Sequence, residues 1–535
     1  MKKRLWTACF SICLSLVMLT GCATGASQSA PKSKGAQAAA VKAPVFTETD
    51  FAPNSSHDIY YEIFVRSFAD SNGDGIGDLK GITEKLSYLK KLGVQGIWLT
   101  PIFESPSYHG YDVTDYYKIN PDFGTEADLK NLVSKAHQMG IKVLLDLVVN
   151  HTSDQNPWFK KALADDPTYK NYYIWKKPAD SLDQQGDWGE QVWQTNGDQV
   201  YEGVFDKSMP DLNYDNPVVR QQVIKIGQYW LKNDGVDGYR LDAAMHIYSN
   251  WQYPDAAEKN AQWWTEFYDA MKQVNPKTYL VGEVWDDPTV IAPYLKSALT
   301  SGFNFDLSTQ ILDAAKSESD NGLVSRLEAI RSLYAKQNSD FKDSTFITNH
   351  DMDRTMSQLN DNVNDAKMAA SLLLTLPGNP FIYYGEEIGM QGSGPDEAKR
   401  EPFIWSSDPN DKTTTSWEPT GVNDTGKIAL NVEEKDPNSM YNWYKNLIYA
   451  RRSSPILMDG ELQDTNYTVD GLITFKRVLN QKSLLVLTNM TGKAKSLKLS
   501  KEDRSYKNVY FETSKKVKTG KTISLPAYST VILSP

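Results

Sequence analysis

Four short segments put acidic, imidazole or guanidinium groups directly at the ends of strand-forming runs. Asn150-His151 follows the apolar run 142–149. Arg240-Leu241-Asp242 closes a run that starts at Asp237. Glu283 follows 279–282, and Asn349-His350-Asp351 follows 344–348. Any one of these could be a helix cap, since Asp and Asn favour that position. Four in succession call for another reason. Two opposed carboxylates are what cleavage of a glycosidic bond needs: one protonates the leaving oxygen, the other attacks or supports the cationic sugar carbon. Arg240 and Asp242 are two apart, so on a strand they share a face, and a guanidinium there is expected to hold the Asp242 carboxyl low. Glu283 has no basic neighbour in sequence, which suits a proton donor.

The elements that must position these groups alternate. Strand-like runs at 59–65, 94–99, 142–149, 237–241, 279–282, 303–306, 344–348 and 381–384 are separated by amphipathic stretches such as 79–92, with Leu86, Leu89 and Leu92 at helical spacing. Continuous apolar strands between helices imply a parallel sheet buried on both faces. Eight of them make a closed (β/α)8 TIM barrel the economical α/β fold, and functional groups in such barrels lie at the C-terminal strand ends. The rhythm breaks between 151 and 212, a segment rich in Trp and Tyr and too long for a structureless loop. It is expected to be a small inserted domain after the third strand. After 453 short strands between polar turns suggest an antiparallel β-sandwich. The expected division is therefore 58–150 and 213–453 for the barrel, 151–212 for the insert and 454–535 for the C-terminal domain.

These segments resemble the conserved regions of the α-amylase family of glycoside hydrolases (family thirteen). The matches are Asp146 to His151, Gly238 to His246, Gly282-Glu283-Val284-Trp285 and Phe346 to Asp351, with Met209-Pro210-Asp211-Leu212-Asn213 resembling a fifth region. The likeness runs from about residue 58 to the C-terminus, and the fifth region is similar to the intermediary oligo-1,6-glucosidase/neopullulanase-like group. The resemblance implies a retaining double displacement with Asp242 as nucleophile, Glu283 as acid/base and Asp351 as the third acid. It implies that Arg240, His151 and His350 grip the sugar, that Tyr111 is an aromatic platform beneath it, and that Asp112 and Arg354 form a polar pair at the closed end of that subsite. One departure stands out: many α-amylases have a lysine where this chain has Met245, so the contacts on the leaving-group side differ.

Asp70-Ser71-Asn72-Gly73-Asp74-Gly75-Ile76-Gly77-Asp78 repeats oxygen-bearing side chains at alternate positions, the spacing of a calcium loop. Asp70, Asn72, Asp74 and Asp78 would give side-chain oxygens and Ile76 a carbonyl; a plain polar turn is the other reading. A second Ca2+ between barrel and insert, similar to that of many α-amylases, would use Asn150, the carbonyl of His246 and an aspartate from the insert.

Lys2, Lys3 and Arg4, an apolar run to Leu19 and Leu19-Thr20-Gly21-Cys22 resemble a bacterial lipoprotein signal over residues 1–22, with Cys22 as the lipidation site. An ordinary signal with a chance cysteine is the alternative. Residues 23–57 read as a flexible tether. The only other cysteines, Cys9 and Cys13, lie inside the signal, so no disulfide framework is expected. A formal charge of −10 argues against a nucleic-acid partner. The expectation is a monomeric enzyme on the outer face of a bacterial membrane, lipid-anchored or released, that cleaves internal α-1,4 bonds of starch or maltodextrin. The alternatives are a cyclomaltodextrinase or α-glucosidase acting on maltooligosaccharides, and a non-catalytic glucan-binding surface protein.

Overall fold

The computed structural model describes residues 45–177, 180–186 and 188–535; the signal-like segment with Cys22, and the tether up to residue 44, lie outside the described residues. Eight parallel strands close into a barrel. They are β1 (Tyr60–Ile63), β2 (Gly96–Leu99), β3 (Lys142–Leu147), β4 (Gly238–Leu241), β5 (Tyr279–Gly282), β6 (Ser301–Phe303), β7 (Lys342–Thr345) and β8 (Asn379–Tyr383). Each pairs with its neighbour in chain order, and β8 closes on β1. The sixth strand ends earlier than its apolar run suggests. The Asn304 side chain accepts from the Leu307 N–H and starts the helix Phe305–Ser317 there.

Strand alternation sorts the side chains. Tyr60, Trp98, Leu144, Val281, Phe303 and Phe381 pack together inside the barrel. Ile97, Leu99, Val143, Leu145, Tyr239 and Leu241 join the outer cluster beneath the helices. The same period of two carries Glu62, Asp146, Arg240, Asp242 and Glu283 onto the inward face near the C-terminal rim. Asp146 and Arg240 are direct register partners.

Between β3 and β4 the chain forms a small three-stranded antiparallel sheet from Trp175–Lys176, Gln199–Glu202 and Trp193–Asn196. Its aromatics are mostly core: Phe159 packs on Tyr173, Trp175 and Tyr201. The sheet is rooted at the rim, where Leu212 N–H donates to the Asn150 carbonyl at 2.9 Å.

The C-terminal strands are β9 (Glu461–Asp464), β10 (Leu472–Leu479), β11 (Lys482–Asn489), β12 (Lys495–Lys498), β13 (Asn508–Glu512), β14 (Thr522–Leu525) and β15 (Ser529–Ser534). Five form an antiparallel sheet in the order β9-β10-β11-β15-β13, and β12 pairs with β14 in a separate ribbon. One face of the larger sheet (Ile473, Phe475, Val486, Ile532) joins the barrel cluster. The other (Leu485, Leu487, Val531, Leu533) packs against Leu497, Ile523 and Leu525 of the ribbon.

Candidate active site

A single guanidinium organises the rim. Arg240 Nη1 donates to Asp242 Oδ1 at 2.7 Å and to both oxygens of Asp146 at 2.9 and 3.1 Å. Its Nη2 lies 2.7 Å from Glu283 Oε1. The other Glu283 oxygen accepts the Ala243 N–H at 3.0 Å. Ala243 holds φ at 47°, an uncommon conformation for a side chain with a Cβ. Such strain concentrates at functional sites.

A second chain of polar groups runs through His350. Its Nδ1 meets Glu62 Oε1 at 2.6 Å; its Nε2 meets the Tyr111 hydroxyl at 2.6 Å and Asp351 Oδ2 at 3.0 Å. The Tyr111 ring stacks on His350, with centroids 5.5 Å apart. Arg400 Nη2 holds Asp351 Oδ1 at 2.8 Å, and its Nε donates to the His350 carbonyl at 3.0 Å. His151 Nε2 lies 3.0 Å from the Tyr111 carbonyl.

The charges do not balance as the sequence suggests. Burial pushes the Asp242 carboxyl well above the usual range; Arg240 pulls it down, but Glu283, Asp146 and Asp351 push the other way. One guanidinium faces three carboxylates, so the expectation that Arg240 holds Asp242 low is reversed. The opposite holds around His350. Burial works against its charge, yet Asp351 and Glu62 outweigh it and push the imidazole up to about 10. Burial also opposes ionisation of Asp351, but His350 and Arg400 hold its carboxyl well below the usual range.

These groups surround a cavity of about 570 Å³. Its lining divides in two. One side is polar, with His109, Tyr111, Asp351, Asp396 and Arg400; the other offers Phe205, Met209, Met245, Trp188 and Trp285. Trp188 and Trp285 are 60% and 39% exposed; Trp285 stacks one ring face on Phe305, and Trp188 packs beside Phe205 and His246. Asp242 and Glu283 also line the cavity.

Residues 62–460 match the family model described as "Alpha amylase, catalytic domain", and residues 472–532 match "Alpha-amylase SusG C-terminal domain". The chain belongs to the α-amylase family of glycoside hydrolases. It is 44% identical to alpha-amylase 3 of Dictyoglomus thermophilum over 89% of this chain and 92% of that protein. It is 31% identical to the oligo-1,6-glucosidase of Parageobacillus thermoglucosidasius over 82% of this chain and 91% of that protein. The crystal structure of the α-amylase from H. orenii superposes with a TM-score of 0.84 at 44% identity, covering 90% of this chain and all of that one. The residues expected at the strand ends of an α-amylase-type hydrolase thus converge: Asp242, Glu283, Asp351, Arg240, His151, His350 and Tyr111 meet at one rim.

Asp112 and Arg354 do not pair. Asp112 accepts from the hydroxyls of Ser105, at 2.7 Å, and Ser107. Arg354 is fully buried, donates Nη1 to the Tyr384 carbonyl at 2.7 Å and lies over the Tyr383 and Tyr384 rings. The guanidinium that reaches the cavity is Arg400. Asp396 and Arg400 bracket the short helix Asp396–Lys399 after β8 and form an ion pair at 3.1 Å. That i,i+4 pair after the eighth strand was a usable signal. Glu62 and Asp146 gave a weaker one, single acids inside apolar runs.

Two sets of oxygens suit a hard cation. In the loop after β1, Asp70, Asn72 and Asp74 each accept the backbone N–H two residues on, which winds the loop tightly. Asp78 is also the N-cap of the helix Leu79–Leu92, accepting from Gly81 N–H at 2.7 Å. At the root of the insert, Asn150 Nδ2 donates to Asp211 Oδ1 at 3.0 Å. Glu202 lies near and is bonded by Trp251 Nε1 at 2.9 Å. Burial pushes Asp211 well above the usual carboxyl range and Glu202 up to about 7. Among the described residues neither carboxylate has a Lys or Arg partner, and no three His, Cys, Asp or Glu side chains are grouped so as to hold a metal ion by themselves.

Proposed function

We propose that the protein hydrolyses internal α-1,4-glucosidic bonds of starch and maltodextrins with retention of configuration. The observation that carries this is the shared guanidinium: Arg240 binds Asp242 and Glu283 through neighbouring nitrogens. Two carboxyl groups so held are close together, as a retaining pair requires (about 5–5.5 Å, against 6.5–9.5 Å for an inverting pair). In the proposed first step Glu283 gives a proton to the glycosidic oxygen while Asp242 attacks the anomeric carbon. A covalent glycosyl ester forms on Asp242 and the leaving chain departs. Glu283 then takes a proton from water, which attacks the same carbon and frees Asp242. Asp351, His350 and Arg400 hold the hydroxyls of the sugar being cleaved, on the Tyr111 platform. Arg354 has no part in this scheme.

The 44% identity to alpha-amylase 3 supports an endo-acting amylase. Calcium would be held by Asp70, Asn72, Asp74, Asp78 and the Ile76 carbonyl in one loop, and by Asn150, Asp211 and Glu202 with the His246 carbonyl at the insert. There it would supply charge balance and cross-linking of insert to barrel. Asp211 is then the insert aspartate that the sequence left unassigned. Export and lipid attachment at Cys22 complete the reading, supported by the basic start, apolar run and Leu19-Thr20-Gly21-Cys22 of the sequence. Among the described residues no helix is long and apolar enough to cross a membrane.

Digesting amylose and maltotriose side by side tests the activity. Early loss of iodine staining with mixed maltooligosaccharides is expected. Glucose as the sole early product would replace this reading with the α-glucosidase one.

A further inference from the structure

The charge of this chain is segregated. Residues 472–535 contain thirteen Lys and Arg against three Asp and Glu, whereas the rest contains forty-four against sixty-four. The small domain is therefore strongly cationic on a chain whose net charge is −10.

Few of these cations are neutralised. Lys476 pairs with Asp503 at 2.6 Å and Lys495 with Asp470 at 3.6 Å. Lys482, Lys493, Lys498, Lys501, Arg504, Lys507, Lys515, Lys516, Lys518 and Lys521 are all exposed, and none has an acidic partner within 4.0 Å among the described residues. The ribbon concentrates them. Leu497, Ile523 and Leu525 point from β12 and β14 into the domain core. Alternation then turns Lys498 outward, opposite Thr522. Lys518 bridges Ser524, and the Lys521 carbonyl accepts the Leu499 N–H at 3.0 Å. Lys498, Lys518 and Lys521 thus crowd one ribbon, next to Lys515 and Lys516. The five-stranded sheet stands between this ribbon and the barrel, so the ribbon's outer face looks away from the barrel.

We propose that this ribbon face docks on an anionic phospholipid bilayer, holding the C-terminal domain against the membrane that carries the protein. The inference rests on the reading that the chain is exported and membrane-held. Charge complementarity selects the partner: clustered lysines gain from the negative potential of such a surface, and the gain fades within a Debye length. The acidic remainder of the chain is repelled by the same surface, so contact is confined to the basic domain. Glucan itself is uncharged and gives such a patch nothing to bind.

The test uses the full chain with Cys22→Ser, so that no acyl group contributes. Vesicles of phosphatidylcholine alone and vesicles with phosphatidylglycerol added are sedimented with the protein at low and high salt. Binding to the anionic vesicles only, lost at high salt, is expected. Lys515→Glu/Lys516→Glu/Lys518→Glu/Lys521→Glu should lower it by about tenfold or more, with hydrolysis of a soluble maltooligosaccharide unchanged. The milder quadruple Lys→Gln set should fall between, and its melting temperature checks the fold. Equal binding to neutral vesicles, or undiminished binding by the charge-reversed chain, would overturn the proposal. Retention on heparin without binding to vesicles would overturn it too. Failure here with amylose cleavage intact leaves the enzymatic reading standing.

Discussion

Two groups of buried carboxylates in this molecule are built on different plans. Asp146, Asp242 and Glu283 gather around Arg240, a permanent cation that offsets part of the burial of Asp146 and Asp242. Around Glu202 and Asp211 the donors include Trp251, Gln252, Asn150 and the Val204 N–H, and among the described residues neither carboxylate has a Lys or Arg partner. Buried charge without a counter-charge is costly, and it is met by protonation or by a cation from outside. The first group is organised by ion pairs and hydrogen bonds before any ligand arrives. On the proposed calcium reading, the second is a socket. Burial is common to both, so the donor set separates a reaction centre from a structural site.

The largest expected effect tests whether the first group is a reaction centre at all. Glu283→Gln keeps the shape and the Arg240 contact but has no proton to give. Turnover of amylose should fall by roughly 10²–10⁴-fold, the usual contribution of a positioned general acid, while maltooligosaccharide binding is retained. Unchanged turnover would make the Arg240 cluster structural. Arg240→Met goes further, because it turns the first plan into the second. Removing one partner of a buried ion pair costs about 3–5 kcal/mol, so the variant should melt markedly lower as well as lose activity. A variant that melts like the parent would show that the cation is dispensable.

The socket gives a smaller, stability-based prediction. A ligand at a hundredfold excess over its Kd stabilises by about 2.7 kcal/mol, so calcium should raise the melting temperature and a chelator lower it. Asp211→Asn should lose the part of this response that belongs to the insert. In calcium-free buffer it should be about as stable as the parent, since burial already favours the neutral carboxyl that the amide resembles. The metal-free parent should also lose stability as pH rises from the ordinary glutamate value of 4.5 through about 7, because Glu202 must ionise in a place that favours its neutral form. A melting temperature indifferent to calcium would remove the distinction between the two plans.

Why one group was legible in the sequence and the other was not follows from the same contrast. Asp242, Glu283 and Asp351 sit at strand ends, and a parallel barrel gathers strand ends whatever the loops do, so alternation and position sufficed. Arg400 and Glu202 depend on where long connections return, which no local period encodes. Arg354 shows the converse. It follows the seventh strand by only a few residues, yet its chain turns into the helix Thr355–Gln358 and carries the guanidinium into the barrel wall beside Tyr383. At Asp242 the spacing shows the one cation, whereas the burial that raises its carboxyl most, and the carboxylates Glu283 and Asp146 that add to it, come from the closing of the barrel.

The smallest effect lies within the rim, where His350 links its two polar chains. His350 is fully buried between Glu62 and Asp351, which raise it from 6.5 to about 10. A base whose folded-state pKa is raised stabilises the fold fully below its unfolded value, and the contribution is lost as pH rises through the folded value. The stabilisation is therefore complete near pH 6.5 and gone by about pH 10. Asp351 is held low, so it stays charged and keeps supporting the imidazolium across that window. His350→Gln should consequently melt below the parent near neutral pH, and the gap should narrow steadily toward pH 10 in a series of thermal melts. A constant gap would mean that His350 is neutral in the fold. Asp351 would then depend on Arg400 alone, and the rim would resemble the socket more than the cluster around Arg240.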